Sequence, residues 1–359
     1  RQHQLTLRHE IGTARIQVSK VEDRDYPEEL PVGYYLDNFR RILDFVDDHY
    51  RDILSPDEKR FSLDFHSLSL NASGLYVRLV SRKGPLFRSD TLNYGEIADI
   101  EAAAAELTAA GFLGEDEPWE LPEELALLRK AEILELISEC GPDSDRDGPS
   151  RTIRSLRKEQ LVELALSLPG DTRGWIRGRF HIYRPQRQRE ILIYRLLFFG
   201  NLYQDLTEFV VTDLGHVRYE PYKIRRKDRL FHSREVLDLT FRLIELNDAF
   251  YNAAEGRSVN EIDKNALLEL LEYLPEGNTV YDDPHLRRMR DNLINSVARH
   301  LERIGDHSQA LHLYRLAERP PSRERRARIL ERRGRMEESL QLCRQTQTDP
   351  WEEAEQEFA

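Results

Sequence analysis

Two cysteines, Cys140 and Cys343, and two methionines, Met289 and Met336, are all that a chain of 359 residues carries of either type. Two thiols are too few for a disulfide framework or a cysteine-rich zinc site, so both read as reduced packing residues. No stretch approaches the roughly eighteen consecutive apolar residues of a membrane-spanning helix, and no charged-then-apolar leader opens the N-terminus. A membrane is therefore excluded as a partner, and the expected location is intracellular, the cytoplasm or nucleoid if the source is bacterial. Catalytic signatures are missing as well: there is no phosphate-binding glycine loop, no nucleophile elbow and no His-Glu-x-x-His. A metal-dependent nuclease core needs an Asp followed by Glu-x-Lys on a strand, so that carboxylates hold divalent cations at the scissile phosphate. Pro56-Asp57-Glu58-Lys59 shares some of those letters but sits at a capped helix start and reads as a cap. His300, His307 and His312, spaced by seven and five, do not share one helix face and do not read as a metal site. The chain opens at Arg1 with both methionines deep in its second half, so it is expected to be part of a longer polypeptide.

What is present is charge, unevenly spread. The formal net charge is −12, yet residues 96–147 hold 16 acids against Arg129, Lys130 and Arg146, while residues 151–190 hold ten Arg and Lys against four acids. Such asymmetry implies separate acidic and basic surfaces. The sharpest local contrast is Leu75–Gly84: Arg78, Arg82, Lys83 and Arg88 fall within eleven residues that contain no acid. Local positive charge on an acidic protein suits a surface that meets phosphates. Similar chemistry recurs at Arg173, Arg177 and Arg179, interleaved with Trp175, Phe180 and Tyr183, and at Lys223-Ile224-Arg225-Arg226-Lys227. The aromatics read first as core and second as platforms for stacked bases.

Apolar spacing predicts an amphipathic helix over 34–51. Ser55-Pro56-Asp57-Glu58 is a capping box that opens a second helix to about Leu68. Asn71–Gly74 reads as a break, Leu75–Val80 as a strand, Lys83-Gly84-Pro85 as a turn, and Glu96–Ala110 as a helix closed by Gly111. That order is winged-helix-like. Two short helices over 122–128 and 130–138 precede an exposed loop, Gly141–Ser150, and a helix over 155–164 carries cations in its first turn. Ile191–Phe199 reads as a buried helix, 206–211 and 217–222 as strands, and Phe231–Phe250 as a helix. The C-terminal part repeats with an offset of 29: Leu301-Glu302-Arg303-Ile304-Gly305 recurs as Leu330-Glu331-Arg332-Arg333-Gly334, and Ala310–Arg315 recurs as Ser339–Arg344. This is a tetratricopeptide-like pattern, shorter than the usual unit of about 34 residues, and it predicts a short helical solenoid. The nine arginines against three glutamates in 315–335 read as a solvated helical face. A last helix begins at Trp351.

Several strings then carry a family resemblance. Tyr34–Arg40, Phe65–Ser69 leading into Gly74–Leu79, Ser81-Arg82-Lys83, Glu106–Leu113, and Tyr222–Lys227 with Phe231 downstream resemble the N-terminal region of the Fanconi-associated nucleases, over most of residues 30–250. The resemblance implies a DNA-binding region containing a SAP domain, a tetratricopeptide-like helical domain and a VRR-NUC nuclease domain. It makes 119–170 the SAP part, with Lys158 and Leu161 in its second-helix motif and a departure at the long loop from Gly141 to Ser150. It matches Arg78 and Lys83 to basic DNA-contacting positions and Lys227 to a basic segment. The metal-binding acids and lysine of the nuclease domain have no counterpart in these residues.

The expected fold is mainly α: a helical, winged-helix-like module with short β-strands over 1–118, a SAP helical unit over 119–170, a basic mixed segment with connecting helices over 171–280, and tetratricopeptide-like repeats over 281–359. The expected function is the DNA-binding, substrate-orienting portion of a structure-selective nuclease of 5′-flap endonuclease or 5′–3′ exonuclease type, acting in DNA repair such as interstrand crosslink repair. Its Mg2+ or Mn2+ and its catalytic residues are expected in a nuclease domain outside this chain. The candidate DNA contacts are Arg78, Arg82, Lys83, Arg157, Lys158, Arg173, Arg177, Arg179, Lys223, Arg225, Arg226 and Lys227. Branched or flap DNA, the nuclease domain of the same protein and further copies on DNA are the expected partners. The alternative is a helical-repeat scaffold that binds proteins and no nucleic acid, with the cations solvated.

Overall fold

A computed structural model describes residues 32–82, 84–115, 119–141, 150–204, 228–254 and 283–358. Lys83, the expected strands at 206–211 and 217–222, the basic run Lys223–Lys227 and most of the loop after Gly141 lie outside the described residues. The fold is mainly α, in two compact units: residues 1–51 with 55–225, and residues 52–54 with 226–359. No described helix is long and apolar enough to cross a membrane.

The first unit opens with α1 (Tyr34–Tyr50), whose buried stripe of Phe39, Ile42, Leu43 and Val46 keeps helical spacing. The capping box at α2 (Pro56–His66) closes as expected, with Ser55 Oγ accepting from the Glu58 amide at 3.2 Å and Glu58 Oε2 accepting from the Ser55 amide at 2.8 Å. The stretch from Leu75 to Val80 is not a strand. It is the second half of a helix, α3 (Leu70–Val80), which Ser69 caps by accepting from the Ala72 amide at 3.2 Å. Glu106 fixes that cap, accepting from the Ser69 amide and hydroxyl at 2.7 and 2.6 Å. Asn71–Gly74, read as a break, is the helix's own first turn. Gly74 is there for packing, since a Cβ would lie 3.2 Å from the Tyr35 hydroxyl. Ala72, Leu75, Tyr76, Val77 and Leu79 are all buried, so the helix is apolar nearly all round and shows no periodicity to separate it from a strand.

Strand β1 (Phe87–Arg88) follows, then α4 (Ile100–Ala109), closed by Gly111 at φ 72°, and β2 (Leu113–Glu115). Glu96 lies ahead of α4 rather than within it. Next come α5 (Leu121–Ala126), α6 (Lys130–Cys140), α7 (Arg151–Ser155), α8 (Lys158–Leu166) and α9 (Thr172–Arg177). Strand β3 (Ile182–Pro185) then inserts between β1 and β2, antiparallel to both, pairing Phe87 with Tyr183 and Leu113 with Pro185. The sheet thus draws residues 87–115 and 182–185 into one module, with α5–α9 emerging between its strands. Helix α10 (Gln188–Phe199) packs on α1, and Phe61, Phe65, Tyr76 and Phe112 fill the centre edge-on or tilted.

The second unit contains α11 (Arg234–Ala254), α12 (Pro284–Arg303), α13 (His307–Leu316), α14 (Ser322–Arg332), α15 (Met336–Thr348) and α16 (Glu353–Phe358). The 29-residue offset marks two helix hairpins, α12–α13 and α14–α15, turned at Gly305 (φ 87°) and Gly334 (φ 74°). Equivalent positions do equivalent work: Ala310 and Ser339, and Leu313 and Leu342, are all buried. Polar contacts join the hairpins. Buried Glu302 on α12 accepts from Arg325 on α14 at 2.5 and 3.0 Å and from the Tyr314 hydroxyl at 3.3 Å. Asp291 accepts from the amides of Glu318 and Arg319 at 3.1 and 3.2 Å.

Candidate nucleic-acid interface

The cations singled out in the sequence divide by what they touch. Arg78, on α3, donates from Nε to Glu96 Oε1 at 2.8 Å and stacks on the Tyr35 ring at 3.9 Å. The Tyr35 hydroxyl donates to the same carboxylate oxygen at 3.1 Å. Burial, and then that hydrogen bond, push the Tyr35 phenol up to about 12. Partial burial works against ionisation of Glu96, but its own backbone amide and Arg78 outweigh it and hold the carboxyl below its ordinary range. The acid missing from the eleven residues around Arg78 is supplied by Glu96, eighteen positions on. Arg82 is exposed, donating from Nη1 to the Tyr94 hydroxyl at 3.1 Å.

Arg88, part of the same acid-free run, is interior. Its side chain is 7% exposed, forms two-point pairs with Glu132 (2.6 and 2.9 Å) and Asp90 (2.8 and 3.0 Å), and lies 3.9 Å from the Phe180 ring centre. The hydrogen bonds to Glu132 and Asp90, outweighing burial, raise its already high pKa. Glu132 also accepts from the Arg129 amide at 2.6 Å, so Arg88 fixes the carboxylate that caps α6.

Arg173 donates from Nη2 to the Trp119 carbonyl at 2.8 Å and reaches buried Glu124 at 3.5 Å. Arg179 lies 3.4 Å over the Trp175 ring and donates to Glu139 at 3.2 Å, while the Trp175 indole donates to the same carboxylate at 2.8 Å. Trp175, Phe180 and Tyr183 are buried. The aromatics of this stretch are therefore core rather than an exposed base platform, with the exposed Arg179 laid over Trp175. Arg177 is exposed and lines, with Arg179 and His181, a groove of about 710 Å³ beside the start of α4.

A different set of cations is brought together by α6 and α8. Leu125, Leu128, Ile133, Leu136, Ile137, Leu161 and Ala165 form the core between these helices, with Trp119, Trp175 and Ile176. Lys158 Nζ, at the start of α8, donates to the Ala126 carbonyl just ahead of α6 at 2.7 Å. At the other end the Gly170 amide donates to the Cys140 carbonyl at 3.0 Å. Starts meet starts and ends meet ends, so α6 and α8 run parallel. Both N-termini then face the same way, each with the partial positive charge of its first turn, with the Arg129 and Arg157 amides already capped by Glu132 and Gln160. Around them Arg129, Lys130, Arg151, Arg154 and Arg157 are exposed, on α6, on the short α7 or beside them. Two aligned helix starts with this cationic rim can hold phosphodiester groups through amides and side chains together.

Of the sequence-selected residues, only Arg157 and Lys158 belong to this end. Arg129, Lys130, Arg151 and Arg154 lie there as well and were not among the sequence candidates. The first two were masked by the acids of 96–147, and only the pairing of the two helices reveals them. Among the described residues no group of three His, Cys, Asp or Glu side chains could hold a metal ion, and Cys140 and Cys343 are free thiols.

A family model described as "FAN1, HTH domain" matches residues 33–114, from the start of α1 into β2. The chain is 33% identical over 344 residues to the Fanconi-associated nuclease 1 homolog of Pseudomonas aeruginosa, covering 92% of this chain and 57% of that relative. Human Fanconi-associated nuclease 1 is 26% identical over 272 residues, 63% of this chain and 26% of the human protein. A solved structure described as paFAN1 bound to 2nt 5′flap DNA with gap superposes with a TM-score of 0.78 at 33% identity, over 92% of this chain and 57% of that one. A second, bound to 1nt 5′flap DNA with gap, gives 0.74. The chain spans little more than half the length of the Pseudomonas relative and about a quarter of the human one.

Proposed function

The chain belongs to the Fanconi-associated nuclease family, and on that premise we propose that it grips and orients branched DNA for a structure-selective nuclease. The observation that carries this reading is the exposed basic end built by the parallel starts of α6 and α8, on a fold shared with a protein solved on 5′-flap DNA. Arg129, Lys130, Arg151, Arg154 and Arg157 would meet duplex phosphates there, beside Lys158. Shape rather than sequence would be read, because the contacts are to the backbone and come from helix ends rather than from a helix lying in a groove. Arg82 and Arg177 would add phosphate contacts, and Lys83 with Lys223, Arg225, Arg226 and Lys227, outside the described residues, remain candidates for the same role by their charge. Arg78, Arg173 and Arg179 would contribute through the N–H groups left over from their protein partners. In domain terms, α5–α8 would be the SAP unit, set between a helix-turn-helix module and the helical repeats.

The whole protein would be a phosphodiester hydrolase acting on 5′-flap DNA in repair, including the repair of interstrand crosslinks. Mg2+ or Mn2+ would supply the activated water and the charge neutralisation at the scissile phosphate. The described carboxylates do not fit that role, and no step is assigned to them. The work of this chain would be binding and alignment.

The test is a fluorescence-anisotropy titration of 5′-flap DNA against the chain and its Arg151→Glu/Arg157→Glu double variant. Loss of two phosphate contacts should weaken binding by about tenfold or more and flatten the salt dependence by roughly two in slope. Unchanged affinity and slope would remove this end from the interface.

A further inference from the structure

The arginine-rich stretch 315–335 has no part in the DNA reading, and the fold sorts its members. Arg325 is taken by Glu302, Arg328 by Glu324, and Arg335 by Glu338. Arg323 donates to the Asp349 carbonyl at 2.6 Å. Arg326 and Arg315 are left facing a groove between α13, α14 and α15, and neither is bonded to a carboxylate or carbonyl among the described residues. Arg326 is half-buried. Burial, and then the nearby charges of Arg315 and Arg323, push its guanidinium below its ordinary value. A partly desolvated cation beside two like charges is costly unless an anion completes it.

The groove has two lobes that share Arg326, Gln341, Leu342 and Gln345, of about 640 and 180 Å³. Together they reach the size of clefts that take ligands, roughly 300–1,000 Å³. The floor is apolar where Leu330 and Leu342 reach it, the rim is cationic, and Arg344 adds a further exposed charge. Two acids touch the edges: Glu338 is held by Arg335, and Asp349 lies at the far end beside Arg323.

We propose that this groove is a docking site for an acidic peptide segment of a partner protein. Guanidinium forks match carboxylates with two hydrogen bonds each, the leucine floor accepts interleaved apolar side chains, and the amides of Gln341 and Gln345 suit an extended main chain. A concave face between stacked helix pairs is where helical arrays bind extended segments. Single-stranded nucleic acid is the lesser fit, because strands are held by stacking on aromatic rings and neither lobe has one among its described lining residues. This function is separate from the DNA grip at the starts of α6 and α8.

The experiment titrates the full chain with a fluorescein-labelled peptide of alternating glutamate and leucine, its glutamine-for-glutamate counterpart, and a short oligothymidine. The acidic peptide should bind and the glutamine peptide should not. Arg326→Gln should weaken the acidic peptide by about tenfold or more, the loss of one charged pair, and leave flap-DNA affinity unchanged. The exposed Arg315→Gln should act in the same direction, and it decides the matter if Arg326→Gln lowers the melting temperature. Absence of acidic-peptide binding, indifference to both substitutions, or tighter binding of oligothymidine that displaces the peptide would each overturn the proposal, the last making the groove a nucleic-acid site.

Discussion

Replacing Arg88 with methionine removes the guanidinium that joins β1 to α6 while keeping an unbranched apolar stem against Phe180. The change leaves Glu132, 20% exposed, and Asp90, 43% exposed, without their two-point partner. Breaking a buried pair by deleting one member costs about 3–5 kcal/mol. Asp90 regains hydration because nearly half of it already meets water, and methionine packing against the ring returns a further fraction. The net loss is therefore about 2–3 kcal/mol. Urea unfolding followed by tryptophan fluorescence reads this region well, because Trp119 and Trp175 belong to the core cluster that also contains Phe180. With a urea dependence of about 2–3 kcal/mol per molar, the midpoint should fall by roughly 1 M. Adding Glu132→Gln should recover part of the loss, with a coupling energy of about 1–2 kcal/mol, since the stranded carboxylate is then neutral. A midpoint shift near zero, or strictly additive single and double variants, would refute the claim that Arg88 is a structural clamp.

Three further outcomes follow from the geometry. Gly170→Ala places a Cβ 2.8 Å from the Cys140 carbonyl oxygen, where backbone must yield; it should cost about 1–3 kcal/mol and weaken flap binding by disturbing the alignment of α6 and α8, as melting and anisotropy together will show. Gly334→Ala meets no atom within 4 Å but keeps φ at 74°, so calorimetry should find a purely backbone cost of about 1 kcal/mol, smaller for Gly334→Asn. The hydrogen bonds from Arg88, opposed by burial, hold Glu132 below its ordinary range. The unfolded chain, with this carboxyl near 4.3, therefore binds more protons than the folded one between the two values. Stability from this group is full above about pH 5 and is lost as pH falls through the folded value; Glu132→Gln should flatten that part of the stability profile.

The sequence was most legible where order is local. The box at Ser55–Glu58 and the glycine-turned repeat are written in adjacent residues, and both are found as expected. Leu75–Val80 was misread because a helix buried on nearly every side loses its polar stripe, and because its cap, Ser69, fell unassigned between the expected helix end at about Leu68 and the expected break at Asn71. The charge pattern misled for a related reason. Arg78 and Arg88 looked unopposed because the acids that pair with them, Glu96 for the first and Asp90 and Glu132 for the second, all lie outside the eleven-residue run. Strand β3 pairs Tyr183 with Phe87 and Pro185 with Leu113, far apart in the chain, and no local signal announces that insertion. The basic end of α6 and α8 was half visible, in Arg157 and Lys158, while Arg129 and Lys130 were hidden in an acidic stretch until the two helices were seen to start together.

The central claim is that DNA is held at that shared start. Its most direct test is site-specific photocrosslinking to labelled 5′-flap DNA, from a benzoylphenylalanine placed at Arg154 beside the helix starts or at exposed Leu166 at the end of α8. Crosslinks from position 154 and none from position 166 are predicted. Crosslinks from 166 alone, or from neither position under conditions where the DNA is bound, would contradict it.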